Sequence, residues 1–253
     1  MLKKIVFTPD SPEGSFLQVY GTDSMATLLW RSRFKESKLT PSIIAMAAGS
    51  NYYCRTLLNQ AEVLNEKGYR TKAETEAGRL AMPWNNLRKA IIDEKSSLIE
   101  RRKTMLKVER GNAAMRSEYR QWFRTMSHPE LFITLVTSKD PELIASAIEG
   151  GPALIGLDGA VFDRIEERYA VVKFLYGGDK SFPPAPMTIN NLAGTDPNWA
   201  ALEKNARDQW VDIVSGSDEI QAAGQYLAGV LALVAASVAD LTTRQAFEIL
   251  KAA

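Results

Sequence analysis

Along its first third the chain changes from the two-residue hydrophobic repeat of strands to the spacing typical of helices. Residues 2–8 alternate around Ile5 and Phe7 as a strand does, and residues 16–21 show a two-residue repeat again after a turn with two prolines and a glycine. Apolar side chains then recur at helical spacing in residues 22–35 and 40–64. The pattern predicts two short strands, a short helix and a longer helix.

The strand predicted at residues 16–21 needs a partner, because a lone strand leaves its backbone N–H and C=O groups unpaired. A second copy of the chain is one source. A two-stranded ribbon carried on helices is a known way to place side chains in the DNA major groove. Residues 2–8 could instead pair with this strand as a hairpin inside one subunit. The ribbon alternative predicts a homodimer that binds double-stranded DNA.

Alternation along the second strand assigns its side chains to two faces. Phe16, Gln18 and Tyr20 share one face, with Thr22 next in phase, while Leu17 and Val19 lie on the other. Glutamine can bond adenine through two hydrogen bonds, and threonine can contact a base edge or the thymine methyl group. An ordinary amphipathic edge strand would show the same alternation, so base contact is a hypothesis.

A basic run lies between the two predicted helices, and the second of them begins at a Thr-Pro-Ser sequence. Thr40 is expected to cap that helix, with Pro41 at the first helical position. Free N–H groups in a first helical turn favour an anion, and nearby cations attract DNA phosphates. Basic runs are more often simply solvated. The predicted backbone contacts are Arg31, Arg33, Lys35, Lys38, Thr40 and Ser42.

Charge is unevenly distributed along a chain of otherwise ordinary composition. Of the 253 residues, 45% are hydrophobic and 24% charged, and the formal net charge is +1. Residues 1–126 carry 22 Lys and Arg against 13 Asp and Glu, whereas residues 127–253 carry 9 against 17. A basic half is expected to meet phosphate. Attraction between the halves, or to a partner protein, is the alternative.

The single cysteine, Cys54, and single histidine, His128, exclude several kinds of site. A structural zinc site needs four Cys or His ligands, and an internal disulfide needs two cysteines. No glycine-rich phosphate loop is present, and His128 has no nucleophile motif beside it. We therefore predict a non-enzymatic protein without a cofactor or metal. An enzyme that uses carboxylates alone stays an alternative.

The rest of the chain predicts a mainly α fold with a small β component. Helices are expected to end at Gly68 and Pro83, and further strands are expected at residues 132–138 and 153–157. The most apolar stretch is about 14 residues long, short of the roughly 20 that span a bilayer, so we predict a cytoplasmic protein without a membrane segment. The predicted domains are residues 1–70, ribbon-helix-helix-like and DNA-binding; 71–176, a helical α+β body; 177–196, a proline-rich linker; and 197–253, the C-terminal helices.

The order of strand, helix and second helix resembles the start of the AcaB-like transcriptional regulators of conjugative plasmids and integrating conjugative elements. In that family an Ile-Ile-(Gly/Ala)-(Leu/Met)-Ala segment opens the second helix. The segment corresponds here to Ile43, Ile44, Ala45, Met46 and Ala47. The resemblance covers residues 16–100. It implies a ribbon-helix-helix dimer that regulates genes for DNA transfer.

Charge, element order and this resemblance together predict a dimeric, sequence-specific DNA-binding regulator that reads the DNA major groove with a β-ribbon. The alternative is a non-enzymatic assembly or adaptor protein of a phage or secretion system. In that alternative the basic N-terminal half binds a protein partner.

Overall fold

The structure, a computed structural model, describes residues 4–11, 14–20, 25–29, 37–109, 111–176, 198–237 and 241–252. The chain divides into two compact units, residues 1–98 with 216–253 and residues 99–215. The described strands are β1 (Lys4–Ser11), β2 (Gly14–Tyr20) and β3 (Met25–Leu29). The described helices are α1 (Thr40–Gln60), α2 (Glu66–Leu106), α3 (Ala113–Phe123), α4 (His128–Thr137), α5 (Pro141–Ile155), α6 (Gly159–Tyr176), α7 (Trp199–Ser237) and α8 (Thr243–Lys251).

The three strands form one antiparallel sheet in the order β1-β2-β3. Gln18, at the middle of β2, lies opposite Val6 on one side and Thr27 on the other. Because both edges of β2 are paired within the subunit, it cannot also form a two-stranded ribbon with a second copy. The predicted ribbon-helix-helix-like N-terminal part is therefore wrong, and of the predicted fold class only the mainly α character agrees with the structure.

The strand β3 replaces part of the helix predicted at residues 22–35. Its five residues, MATLL, are too short a run for hydrophobic periodicity to distinguish a strand from a helix. Pairing with β2 gives this segment backbone hydrogen bonds. A helix this short would be only marginally stable by itself. The hairpin pairing of the first two predicted strands, left open by the sequence, is the one that occurs.

Helix α2 runs through both residues that were expected to end helices. Gly68 is near its start, where the backbone N–H donates to Asn65 Oδ1 at 2.8 Å, so this stretch begins a helix instead of ending one. Pro83 lies inside α2. The buried face continues across it through Leu80, Trp84 and Leu87, so core packing maintains the helix despite the proline.

The first unit is built around a core to which α1, α2, α7 and α8 contribute. The Trp84 ring packs edge-on against Phe247 of α8, with the ring centroids 5.8 Å apart. Asn85 Nδ2 donates to the Leu250 carbonyl at 3.0 Å, which supplies a partner for an end carbonyl of α8. Thr242 caps α8, since its Oγ1 accepts from the Gln245 N–H.

The second unit is helical at both places where strands were predicted. Residues 132–138 lie mostly in α4, whose start carries a capping box of Ser127 and Glu130. Residues 153–157 cover the end of α5, which stops at Gly156 with a φ of 69°. Asp140 caps α5, since its Oδ1 accepts from the Glu142 N–H at 2.9 Å. Short apolar runs fit strands and buried helices equally well. Here the helix caps at Ser127 and Asp140 favour the helices.

Helix α7 is continuous from Trp199 to Ser237. Among the described residues it is the one helix with the length and mean hydropathy of a membrane span. Val230, Leu233 and Val234 on this helix belong to the buried core of the first unit, which is the environment of a core helix. The predicted proline-rich linker lies outside the described residues.

Candidate functional site

The predicted DNA-contact residues fall into three groups in the structure. Gln18 and Tyr20 lie on the central strand β2, opposite Val6 and Lys4 of β1 respectively. Thr22, Arg31, Arg33 and Lys35 lie outside the described residues. Lys38, Thr40 and Ser42 lie at the start of α1. The structure therefore brings three of the nine predicted residues together at a helix start.

The start of α1 differs from the predicted phosphate site. Its N-cap is Leu39, so Thr40 is the first helical residue and not the cap. The Thr40 N–H donates to the Ser37 carbonyl at 3.1 Å, and Pro41 has no N–H to offer an anion. Lys38 Nζ lies 3.3 Å from Glu94 Oε2, so a carboxylate already neutralises this cation. The first turn consequently offers an anion fewer donors and less positive charge than the sequence suggested.

Folding also redistributes the charge asymmetry of the two sequence halves. The first unit contains 16 Lys and Arg and 14 Asp and Glu, for a formal charge of +2. The second unit contains 15 and 16, for a formal charge of −1. The basic half of the sequence is thus not a basic unit of the fold. The long-range attraction for phosphate that the sequence halves implied is largely cancelled within each unit.

The outward face of α1 is the most unusual surface among the described residues of the first unit. Ile44 is 51% exposed and Tyr52 is 55% exposed, and Leu58 is exposed on the same side. Arg55 is the single charged residue in the 21 residues of this helix. The exposed positions recur every three or four residues, as one continuous helix face. They are Pro41, Ile44, Ala45, Ala48, Tyr52, Arg55, Leu58 and Asn59, which we call the α1 face.

The opposite face of α1 is fixed in the core of the first unit. Ile43, Met46 and Leu57 are fully buried there, and Tyr53 forms a buried hydrogen bond between its hydroxyl and that of Ser237 on α7. Burial raises the pKa of the Cys54 thiol to about 12 and raises the pKa of Tyr53 as well. Because both groups stay neutral at ordinary pH, they pack as core side chains. The α1 face is therefore held on a rigid support.

A buried carboxylate stabilises α2 beside α1. Glu76 is almost fully buried, and Lys72 Nζ lies 2.7 Å from its Oε1 while Arg79 Nη1 lies 2.9 Å from its Oε2. All three residues are on α2, with Lys72 one turn before Glu76 and Arg79 one turn after it. Arg79 Nη1 also donates to the Tyr52 hydroxyl at 3.4 Å, which connects this cluster to the edge of the α1 face.

Sequence inspection missed the α1 face as a site, although its signal was present. A helix of 21 residues with one charged side chain cannot have a conventional solvated face, because solvated helix faces are mostly charged or polar. The sequence alone did not show which apolar residues are buried.

Within the described ranges no three His, Cys, Asp or Glu side chains group closely enough to hold a metal ion. No family model, curated protein or solved structure matches the chain.

Proposed function

We propose that this protein is a non-enzymatic assembly or adaptor protein that acts as a homodimer, with the α1 face as the contact between the two copies. The observation that carries the proposal is the exposure of Ile44 and Tyr52 on a helix with a single charged residue. Contiguous exposed apolar surface on a protein is characteristic of contacts with other proteins. Nucleic acid would require cations in place of these side chains.

The arrangement of the α1 face suits pairing with itself. In a two-fold interface the same patch meets itself, so that residue i contacts residue j and j contacts i. Ile44 and Tyr52 lie four residues before and four residues after Ala48. An antiparallel crossing centred on Ala48 therefore places Ile44 of each copy against Tyr52 of the other. The small side chains of Ala45 and Ala48 allow the two helices to approach closely.

Replacement of Ala48 by glutamate tests the proposal. Ala48→Glu places two carboxylates at the dimer axis, while an exposed helical position tolerates the change within about 0.5 kcal/mol in the monomer. The wild type is expected to sediment at twice the 28.0 kDa of one chain, and the variant at the mass of one chain. The control is Val63→Glu, an exposed position just after α1. A monomeric wild type at about 100 µM would overturn the proposal.

A DNA-binding regulator is the second candidate, favoured by the density of Arg31, Arg33, Lys35 and Lys38 before α1. A dimer would suit this function too, because operators read by symmetric dimers repeat in two half-sites. The ribbon geometry is not part of this candidate. Retention of random genomic DNA in a gel at low salt tests it. No retention at micromolar protein would remove the candidate, whereas salt-sensitive retention would favour it.

A further inference from the structure

A pocket of about 240 Å³ lies in the second unit, between α4, α6 and the first turns of α7. Apolar side chains from α4 and α6 form one part of its lining, namely Phe132, Val136 and Val171. Three guanidinium groups and one carboxylate form the rest, namely Arg164, Arg168, Arg207 and Glu167. We propose that this pocket binds an organic anion, a carboxylate or phosphate group attached to a small apolar body.

Arg168 is the most firmly held of the three cations. Its side chain is largely buried, and its Nε donates to the Ser138 carbonyl at the end of α4 at 2.8 Å. Its Nη1 lies 3.8 Å from Glu203 Oε1, at the limit of an ion pair. The guanidinium is thus oriented by a backbone acceptor and only loosely neutralised. A cation fixed in this way binds an anion without first losing side-chain freedom.

The other two arginines supply charge that the neighbouring carboxylates do not fully balance. Arg207 Nη2 donates to Glu203 Oε1 at 2.9 Å, and Arg164 Nη1 donates to Glu167 Oε2 at 3.0 Å. Glu203 therefore serves both Arg168 and Arg207. Three guanidinium groups face two carboxylates, which leaves one net positive charge. Each guanidinium has five N–H donors, enough to bind its glutamate and an incoming oxyanion.

The size and lining of the pocket select the rest of the ligand. Its volume of about 240 Å³ is below the roughly 300–1,000 Å³ of pockets that hold drug-sized ligands, so the ligand is small. That volume suits a ring or short chain with one oxyanion group. Ligand pockets combine apolar surface with oriented polar groups, and this lining does so with three apolar and four charged side chains. A bare inorganic ion would leave the apolar surface of Phe132 and Val136 uncovered.

Calorimetric titration of the full chain with four probes tests the proposal. Phenyl phosphate and benzoate carry an oxyanion on an apolar ring, inorganic phosphate lacks the ring, and benzyl alcohol lacks the charge. We expect saturable binding of phenyl phosphate, benzoate or both, at least about tenfold tighter than inorganic phosphate or benzyl alcohol. Comparison of the first two probes identifies whether phosphate or carboxylate is preferred.

Two charge-neutralising variants on α7 assign the binding to the pocket. Arg207→Gln removes one guanidinium from the lining and is expected to weaken binding by about tenfold or more. The matched control is Lys204→Gln, which removes the same charge from an exposed residue of α7 paired with Asp208 and should change binding less than about twofold. Both native side chains are exposed, so both variants are expected to fold, as circular dichroism would verify.

Three results would overturn the proposal. The first is no saturable binding of either aromatic anion at about 10 mM. The second is equal binding by Arg207→Gln and the wild type, and the third is equal affinity for benzyl alcohol or inorganic phosphate. In each case the arginines act only as surface ion pairs with Glu167 and Glu203. The outcome is independent of the dimer, because these residues lie in the second unit and the α1 face in the first.

Discussion

Arg116 Nε donates to Glu142 Oε2 at 2.5 Å and thereby joins α3 to α5 inside the second unit. The Arg116 side chain is 6% exposed. Its Nη1 donates to Glu149 Oε1 at 2.6 Å, and its Nη2 to the Glu109 carbonyl at 2.8 Å. The hydrogen bond to Glu142 raises the pKa of the guanidinium still further above its usual range. All three faces of the buried cation therefore have acceptors.

Replacement of Arg116 by methionine is expected to destabilise the second unit by about 2 kcal/mol, because it removes charge-assisted hydrogen bonds and leaves Glu142 without its arginine donor. Arg120→Met is the control one turn later on α3, where the native side chain makes a more exposed ion pair with Glu149 at 2.9 Å. That change should cost less than about 1 kcal/mol. Urea unfolding measures both, and equal losses would contradict the structural role of Arg116.

Two glycines should respond to alanine in opposite directions. Gly156 has a φ of 69°, and an added Cβ would lie 2.9 Å from His128 Nε2. Gly156→Ala is expected to lower the free energy of unfolding by about 1–2 kcal/mol through backbone strain and this contact. Gly78 lies inside α2 with nothing within 4 Å of an added Cβ. Gly78→Ala should therefore raise the free energy of unfolding by about 0.8 kcal/mol. Thermal or urea unfolding measures both changes in the free energy of unfolding, and two changes of the same sign would contradict this geometry.

Alkaline pH should destabilise the first unit through Cys54. The folded thiol has a pKa of about 12 because it is buried, whereas the unfolded thiol ionises near pH 9. Its stabilising contribution is complete below pH 9 and is lost as the pH rises from 9 to 12, because only the unfolded state releases the proton in that window. The loss amounts to about 1.4 kcal/mol per pH unit.

Cys54→Ala isolates that contribution from those of the tyrosines. The variant is expected to be less stable at neutral pH, but its unfolding free energy should fall less steeply above pH 9, by about 1.4 kcal/mol per pH unit. Tyr53 and Tyr69, whose pKa values burial also raises, remain in both proteins. Unfolding at a series of pH values from 8 to about 11 provides the measurement. Identical slopes in the two proteins would contradict the assignment.

Sequence patterns predicted the mainly helical character of the chain better than they predicted where the helices begin and end. Thr40 was expected to cap α1 but lies inside it, whereas Asp140 and Thr242 cap helices because each side chain accepts from a backbone N–H of the first turn. Gly68 and Pro83 were expected to end helices and do not. The first lies beside the capping residue Asn65, and the second lies in a helix whose buried face packs on both sides of it. Contacts with other residues determine whether the helix continues through Gly68 and Pro83, and local sequence patterns carry no information about those contacts.

The candidate site was hidden for a related reason. Ile43 and Ile44 are adjacent and chemically identical, yet the first is buried and the second is 51% exposed. Apolar spacing alone suggested that both belonged to the core. Only the packing of α1 on the first unit shows that a second apolar face is left outside. The sparse charge of α1 was the one sequence feature that indicated this face.

Disulfide trapping at position 48 tests the proposed dimer most directly. Ala48→Cys places a thiol at the centre of the α1 face, while the native Cys54 is buried and stays unreactive. Mild oxidation should give a covalent dimer of twice 28.0 kDa, because two facing β-carbons at a helix crossing can meet disulfide geometry. Met82→Cys, an exposed position on α2, should give little dimer. Equal trapping at both positions, or none at position 48, would contradict an antiparallel dimer centred on Ala48.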